Sequence, residues 1–202
     1  MYSLLKNFSR LPLRVIQTLA SAIGTLLYIS NSSAKRTTEL NIKAVYPKLD
    51  DHHHQQLIKS SLKSQSMTYA ESIKIWGSSP EFALEQIKEV HHLEIFLNAL
   101  KNPNGTLGVV PHFGTWELMN AWVNQHTNPV IMYKPSKNKD LDRFMLESRQ
   151  QLNATLVPTD DSGVRAVFKH LKQGGFSAIL PDHNPKASGG IYSPFFGINI
   201  CR

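Results

Sequence analysis

The rhythm of apolar and polar positions changes three times along the chain. From Val15 to Ala34 no residue is charged, and the run from Val15-Ile16 to Leu26-Leu27-Tyr28-Ile29 is strongly apolar. A membrane-crossing helix wants about 20 apolar residues, and this run fades into Ser30-Asn31-Ser32-Ser33. It reads as a membrane anchor, either a short span or an interfacial helix. Lys6, Arg10 and Arg14 precede it and Lys35 and Arg36 follow, and each cation near an anionic leaflet adds about 1 kcal/mol. Two other readings compete: a signal peptide with Ser32 and Ala34 at its cleavage site, and a buried core helix with Arg14 snorkelling.

A helical rhythm comes next. Asp50 or Asp51 is a plausible cap, and apolar residues recur at Leu57, Ile58 and Leu62, then at Met67, Ile73 and Trp76. Ser79-Pro80-Glu81 has the order of cap, proline and acid that opens a helix, predicted to run to about Leu100. From Thr106 the pattern becomes short apolar strands, predicted at 106–110, 129–133, 154–157 and 176–180. Amphipathic helices at 116–125, 141–152 and 164–172 fall between them. Such alternation predicts an α/β domain, a mainly parallel sheet flanked by helices. The expected division is an N-terminal membrane anchor at 1–36, then a domain at 37–202 that begins with the helical region.

Composition narrows the partners. The formal net charge is +7, which favours polyanions: nucleic acid, anionic membrane, a phosphorylated substrate or an acidic carrier protein. No zinc-finger spacing, aromatic RNA-binding signature or clear helix-turn-helix supports nucleic acid. The single cysteine, Cys201, has no intrachain partner, which argues for a reducing compartment. His52-His53-His54 and His91-His92 fall in predicted helices without acidic or thiol residues at ligand spacing, so no metal site is expected.

Open α/β sheets bind ligands beyond the carboxyl ends of their strands. There lie His112 to Glu117, Lys134 to Asn138, Thr159-Asp160-Asp161 and Asp182-His183-Asn184. On one continuous helix His112 and Glu117 would stand about 140° apart. Pro111 and Gly114 supply a turn, so the imidazole can hang from the strand while the carboxylate rises from the next helix, capped by Gly114 or Thr115. Glu117 could then orient His112 as general base for acyl transfer. An acid in a first helical turn is also favoured by the helix dipole alone. There is no Gly-x-Ser-x-Gly elbow and Cys201 lies at a chain end, so direct attack by an acceptor hydroxyl is preferred to a covalent intermediate.

Five motifs then follow in order: His112-x-Gly114-x-Trp116-Glu117, Tyr133-Lys134-Pro135-x-x-Asn138, Gly163-Val164-Arg165, Leu180-Pro181-Asp182-x-Asn184-Pro185, and Gly189-Gly190-x-Tyr192-x-Pro194-Phe195-Phe196-Gly197. Together they resemble the late acyltransferases of bacterial lipid A biosynthesis, and the likeness reaches back through Arg36, Asn41 and Tyr46-Pro47 to the N-terminal stretch. The resemblance implies a glycerolipid-acyltransferase-like fold at the cytoplasmic face of the inner membrane. It implies acyl-acyl-carrier-protein as donor, a lipid A precursor as acceptor, acyl carrier protein and anionic membrane as partners, and no cofactor or metal. His112 and Glu117 match the family's H-x4-D/E catalytic pair. Lys134, Asn138, Arg149, Arg165 and Asp182 match substrate-binding positions, although the two arginines would equally suit a solvated helix face and Asp182 a turn.

Thr115, Lys134 and Asn153 stand where the family more often has Asn, Arg and Gly. The sequence stops soon after Gly197, where relatives continue, so a truncated chain is expected. The alternatives are an acyltransferase for another glycolipid or a lysophospholipid, and an inactive membrane-binding remnant.

Overall fold

The structure, a computed structural model, describes residues 1–182 and 190–201. In chain order its elements are helices α1 (Tyr2–Ser9), α2 (Leu13–Ile29), α3 (Ser33–Val45), α4 (Asp51–Trp76), α5 (Pro80–Glu85) and α6 (Leu93–Ala99), then strand β1 (Thr106–Val109), α7 (Leu118–Asn124), β2 (Val130–Tyr133), α8 (Lys139–Arg149), β3 (Thr155–Pro158), α9 (Asp161–Lys172), β4 (Phe176–Ile179), β5 (Tyr192–Phe195) and β6 (Ile198–Cys201). They fall into two compact units. One combines Met1–Arg10 with Ile75–Asp182, the other Leu11–Lys74 with the described C-terminal residues.

The first unit is the α/β part. β1 pairs in parallel with β4, Val109 opposite Ile179, and β2 in parallel with β3, Tyr133 opposite Pro158. β2 also lies against β4, and α9 covers β2, β3 and β4. On the sheet, Phe176 meets Phe96 of α6 with ring centroids 5.6 Å apart, and Phe96 meets Trp122 of α7 at 4.8 Å. Gly163 lets the first turn of α9 press on the end of β3, because a Cβ there would stand 1.7 Å from the Pro158 carbonyl oxygen. The predicted parallel pairing flanked by helices is therefore present in this part, as two two-stranded parallel sheets, β1 with β4 and β2 with β3, and not as one continuous sheet. α1 packs on α8, where the Tyr2 ring meets Phe144 edge-on at 6.0 Å and its hydroxyl donates to Glu147.

In the second unit α2 lies against α4. A Cβ on Gly24 would stand 2.6 Å from the Lys63 Cα, so only a glycine permits this approach. Gln17 donates to Glu71 at 2.8 Å and Tyr28 to Gln55 at 3.0 Å, which fixes the two helices antiparallel. Ile16 and Ala20 on α2 and Ile58 and Leu62 on α4 are buried. A neighbouring stripe of α2 carries Val15, Leu19, Ile23, Leu26 and Ile29, which are 42–70% exposed.

One local expectation differs from the structure, and two further features lie outside the predicted elements. The helix predicted from Ser79 to about Leu100 is split into α5 and α6, and His92 between them has a φ of +57°. β-branched Ile87 and Val90 and the two histidines are indifferent helix formers, so this break needs neither glycine nor proline. Ser32, where the apolar run fades, is the N-cap of α3, its hydroxyl accepting from the Lys35 N–H. Finally, β5 and β6 form an antiparallel hairpin turning at Phe196 and Gly197, both at positive φ as a type I′ turn requires. Among the described residues no single helix is long and apolar enough to cross a membrane.

Candidate active site

His112 and Asp182 each stand three residues beyond a strand end, and those ends, Val109 and Ile179, face each other in register. Equal offsets beyond paired parallel strands bring the two side chains together. The His112 backbone N–H donates to one Asp182 oxygen at 2.7 Å, and its ring Nδ1 lies 2.7 Å from the other. The imidazole also packs edge-on against Trp116, with centroids 5.1 Å apart and planes at 86°. Gly114, at φ +58°, turns the chain between strand and helix as the sequence suggests.

Partial burial pushes the Asp182 carboxyl up, but the hydrogen bonds from the His112 ring and backbone outweigh it and hold the group below the ordinary carboxylate range. An ionised Asp182 accepting from Nδ1–H fixes the tautomer in which the lone pair lies on Nε2. That is the imidazole state a general base needs.

The carboxylate expected on His112 was Glu117, and its hydrogen bonds go elsewhere. Glu117 is 3% exposed at the start of α7, where it accepts from Arg149 Nη2 at 3.3 Å and from Asn120 Nδ2 at 2.8 Å. Burying a carboxylate without a countercharge is costly, so Glu117 turns to the arginine of α8 and away from the strand tip. The Arg149 guanidinium lies 4.9 Å from the Tyr133 ring centroid. Tyr133 in turn donates to Asp142, and burial followed by that hydrogen bond raises its phenol to about 12. Arg149 Nε and Trp76 Nε1 have no hydrogen-bond partner among the described residues, and both residues line a cavity of about 20 Å³ with Glu117 and Asn120.

The other expected site residues spread out. Asn138 caps α8, its Oδ1 accepting from the backbone N–H groups of Asp140 and Leu141. Lys134 is exposed beyond β2, and Arg165 is exposed on α9. Asn184 and Pro185 of the fourth motif, and Gly189 of the fifth, lie outside the described residues. The histidine clusters meet local neighbours: His53 Nδ1 lies 2.6 Å from Asp50, His54 Nε2 2.8 Å from the Tyr46 carbonyl oxygen, and His52 Nε2 2.8 Å from Gln56 Nε2. Among the described residues no group of three histidine, cysteine or acidic side chains is placed to hold a metal.

A parallel α/β unit with a carboxylate-held histidine at a strand tip is an arrangement suited to proton transfer at a bound hydroxyl. Residues 2–200 match the family described as bacterial lipid A biosynthesis acyltransferase, and the chain belongs to that family. It is 22% identical to the lipid A biosynthesis lauroyltransferase of Escherichia coli (strain K12) over 189 residues, which is 94% of this chain and 61% of the relative. It is 21% identical to a lipid A biosynthesis acyltransferase of Haemophilus influenzae over 192 residues, covering 93% and 60%. The chain thus spans about three fifths of the length of these curated relatives.

Proposed function

We propose that the protein transfers a fatty acyl group from an acyl-acyl-carrier-protein thioester to a hydroxyl of a lipid A precursor, at the cytoplasmic face of the inner membrane. The observation that carries this reading is the Asp182-held imidazole of His112 at a strand tip, in a chain of this family. His112 Nε2 takes the acceptor's O–H proton as the oxygen bonds to the thioester carbonyl carbon. The C–S bond of the tetrahedral intermediate then breaks, and the imidazolium returns its proton to the departing thiolate. Asp182 stabilises the imidazolium between these steps. Glu117 is a positioning residue, acting through Arg149 and the start of α7. Arg149, Lys134 and Arg165 are candidates for holding phosphate or the donor. The exposed apolar stripe of α2, with the cations around it, supports a membrane-bound location.

The test is to incubate the protein with a defined acyl-carrier thioester and lipid A precursor and to weigh the product. One added acyl chain is expected, with its formation lost in His112→Ala. Normal transfer by His112→Ala removes the mechanism. Acylation of a lysophospholipid or another glycolipid, with the lipid A precursor untouched, reassigns the acceptor.

A further inference from the structure

The solvent side of α9 carries Arg165, Lys169 and Lys172, whose spacing puts them on one helix face. Phe168 stands beside them, 59% exposed. These four residues and Gln173 line a single shallow depression. Among the described residues none of the three cations is in an ion pair, whereas Lys43 and Arg143 are each held by a glutamate on their own helix. The opposite face of α9 buries Gly163 and Val167. A phenyl ring left in water among three exposed cations matches a partner that presents carboxylates around an apolar residue.

The place of α9 in the fold adds a direction. The helix runs from the carboxyl end of β3 back to the amino end of β4, so its Arg165 end lies toward the rim where Asp182 follows β4. Lys172 is about 10 Å farther along at 1.5 Å per residue. A bilayer is less well matched, because the apolar content here is one ring in a depression, whereas α2 offers a continuous apolar stripe.

We propose that this face of α9 docks the acidic surface of the donor's carrier protein. Carrier carboxylates meet Arg165, Lys169 and Lys172, an apolar carrier residue meets Phe168, and the thioester arm reaches over the rim to His112. The proposal rests on the acyl-transfer reading above, in its choice of a carrier-borne donor.

The test has two readouts on the full chain: binding of fluorescently labelled acyl carrier protein, and KM and kcat for its acyl thioester against a free acyl-pantetheine thioester. For the double variant Lys169→Glu, Lys172→Glu, the carrier dissociation constant and KM are expected to rise about tenfold. The salt dependence of binding should flatten and kcat should change little. Phe168→Ala should weaken binding several-fold without altering charge, and the losses should be confined to the carrier-borne donor. Equal carrier affinity in wild type and both variants overturns the docking face. So does loss of binding to phosphatidylglycerol vesicles with carrier affinity unchanged, which makes the face a membrane contact. Carrier binding that depends on these residues but leads to no acyl transfer keeps the face and removes the reaction.

Discussion

Asp182 and Glu117 are both carboxylates near the strand tips, and their surroundings give them different work. Asp182 is partly exposed and holds the His112 ring, so Asp182→Asn should leave the fold intact and favour the wrong tautomer. A fall in kcat of about two to four orders of magnitude is expected, with an unchanged far-ultraviolet circular dichroism spectrum. The folded-state pKa of Asp182 is depressed, so its contribution to stability is complete above the unfolded value of about 3.9 and is lost as pH falls through the folded value. An acid limb of activity above pH 4 therefore does not report titration of Asp182, and a wild-type rate profile against pH checks this. Glu117 is buried, so Glu117→Ala strands the Arg149 guanidinium. The expected cost is about 3–5 kcal/mol, read as a lower urea midpoint, with Glu117→Ala, Arg149→Ala losing less than the sum of the single variants. Additive losses would show that the pair is not coupled. Sequence spacing put Glu117 beside His112, whereas the structure puts Asp182 there and Glu117 on Arg149. The choice depends on β1 lying next to β4, a long-range pairing that local pattern does not carry.

At the scale of elements, the strands were legible because short apolar runs between amphipathic helices have few other solutions. The boundaries of β1, β2, β3 and β4 lie close to those predicted. The break between α5 and α6 and the β5–β6 hairpin were not foreseen. The first lacks a breaker residue, and the second announces itself only through Phe196-Gly197 between Phe195 and Ile198. The Gly163-Val164-Arg165 motif acquires a physical reason in the fold: its glycine is where α9 touches β3. Gly163→Ala must move the Pro158 carbonyl or the helix, so a loss of about 1–3 kcal/mol is expected. Thermal unfolding measures it. An unchanged midpoint would mean that α9 can shift outward at no cost, and would remove this explanation of the motif.

Over the whole molecule, the +7 net charge and the exposed apolar stripe of α2 both bear on the proposed membrane-bound location. The apolar run that reads as an anchor becomes a 17-residue helix with one face buried on α4. A helix of 17 residues is short of the roughly 20 that a crossing wants, whereas one exposed apolar stripe suits lying in a headgroup layer. Burying one exposed leucine side chain is worth about 1.5–3 kcal/mol, so two substitutions on the stripe should cost more than tenfold in partitioning. Leu19→Glu, Leu26→Glu is expected to lower binding to anionic vesicles by at least that factor, measured by sedimentation. Raising salt should weaken the wild type as well, because the +7 net charge contributes through a screened attraction. Because both residues are 46% or more exposed, the unfolding free energy from urea titration should move by no more than about 1 kcal/mol. If the variant binds vesicles as tightly as wild type, the α2 stripe is not the membrane contact, and the attachment must come from charge alone. If its folding stability falls with its binding, the stripe is part of a packed interface within the protein.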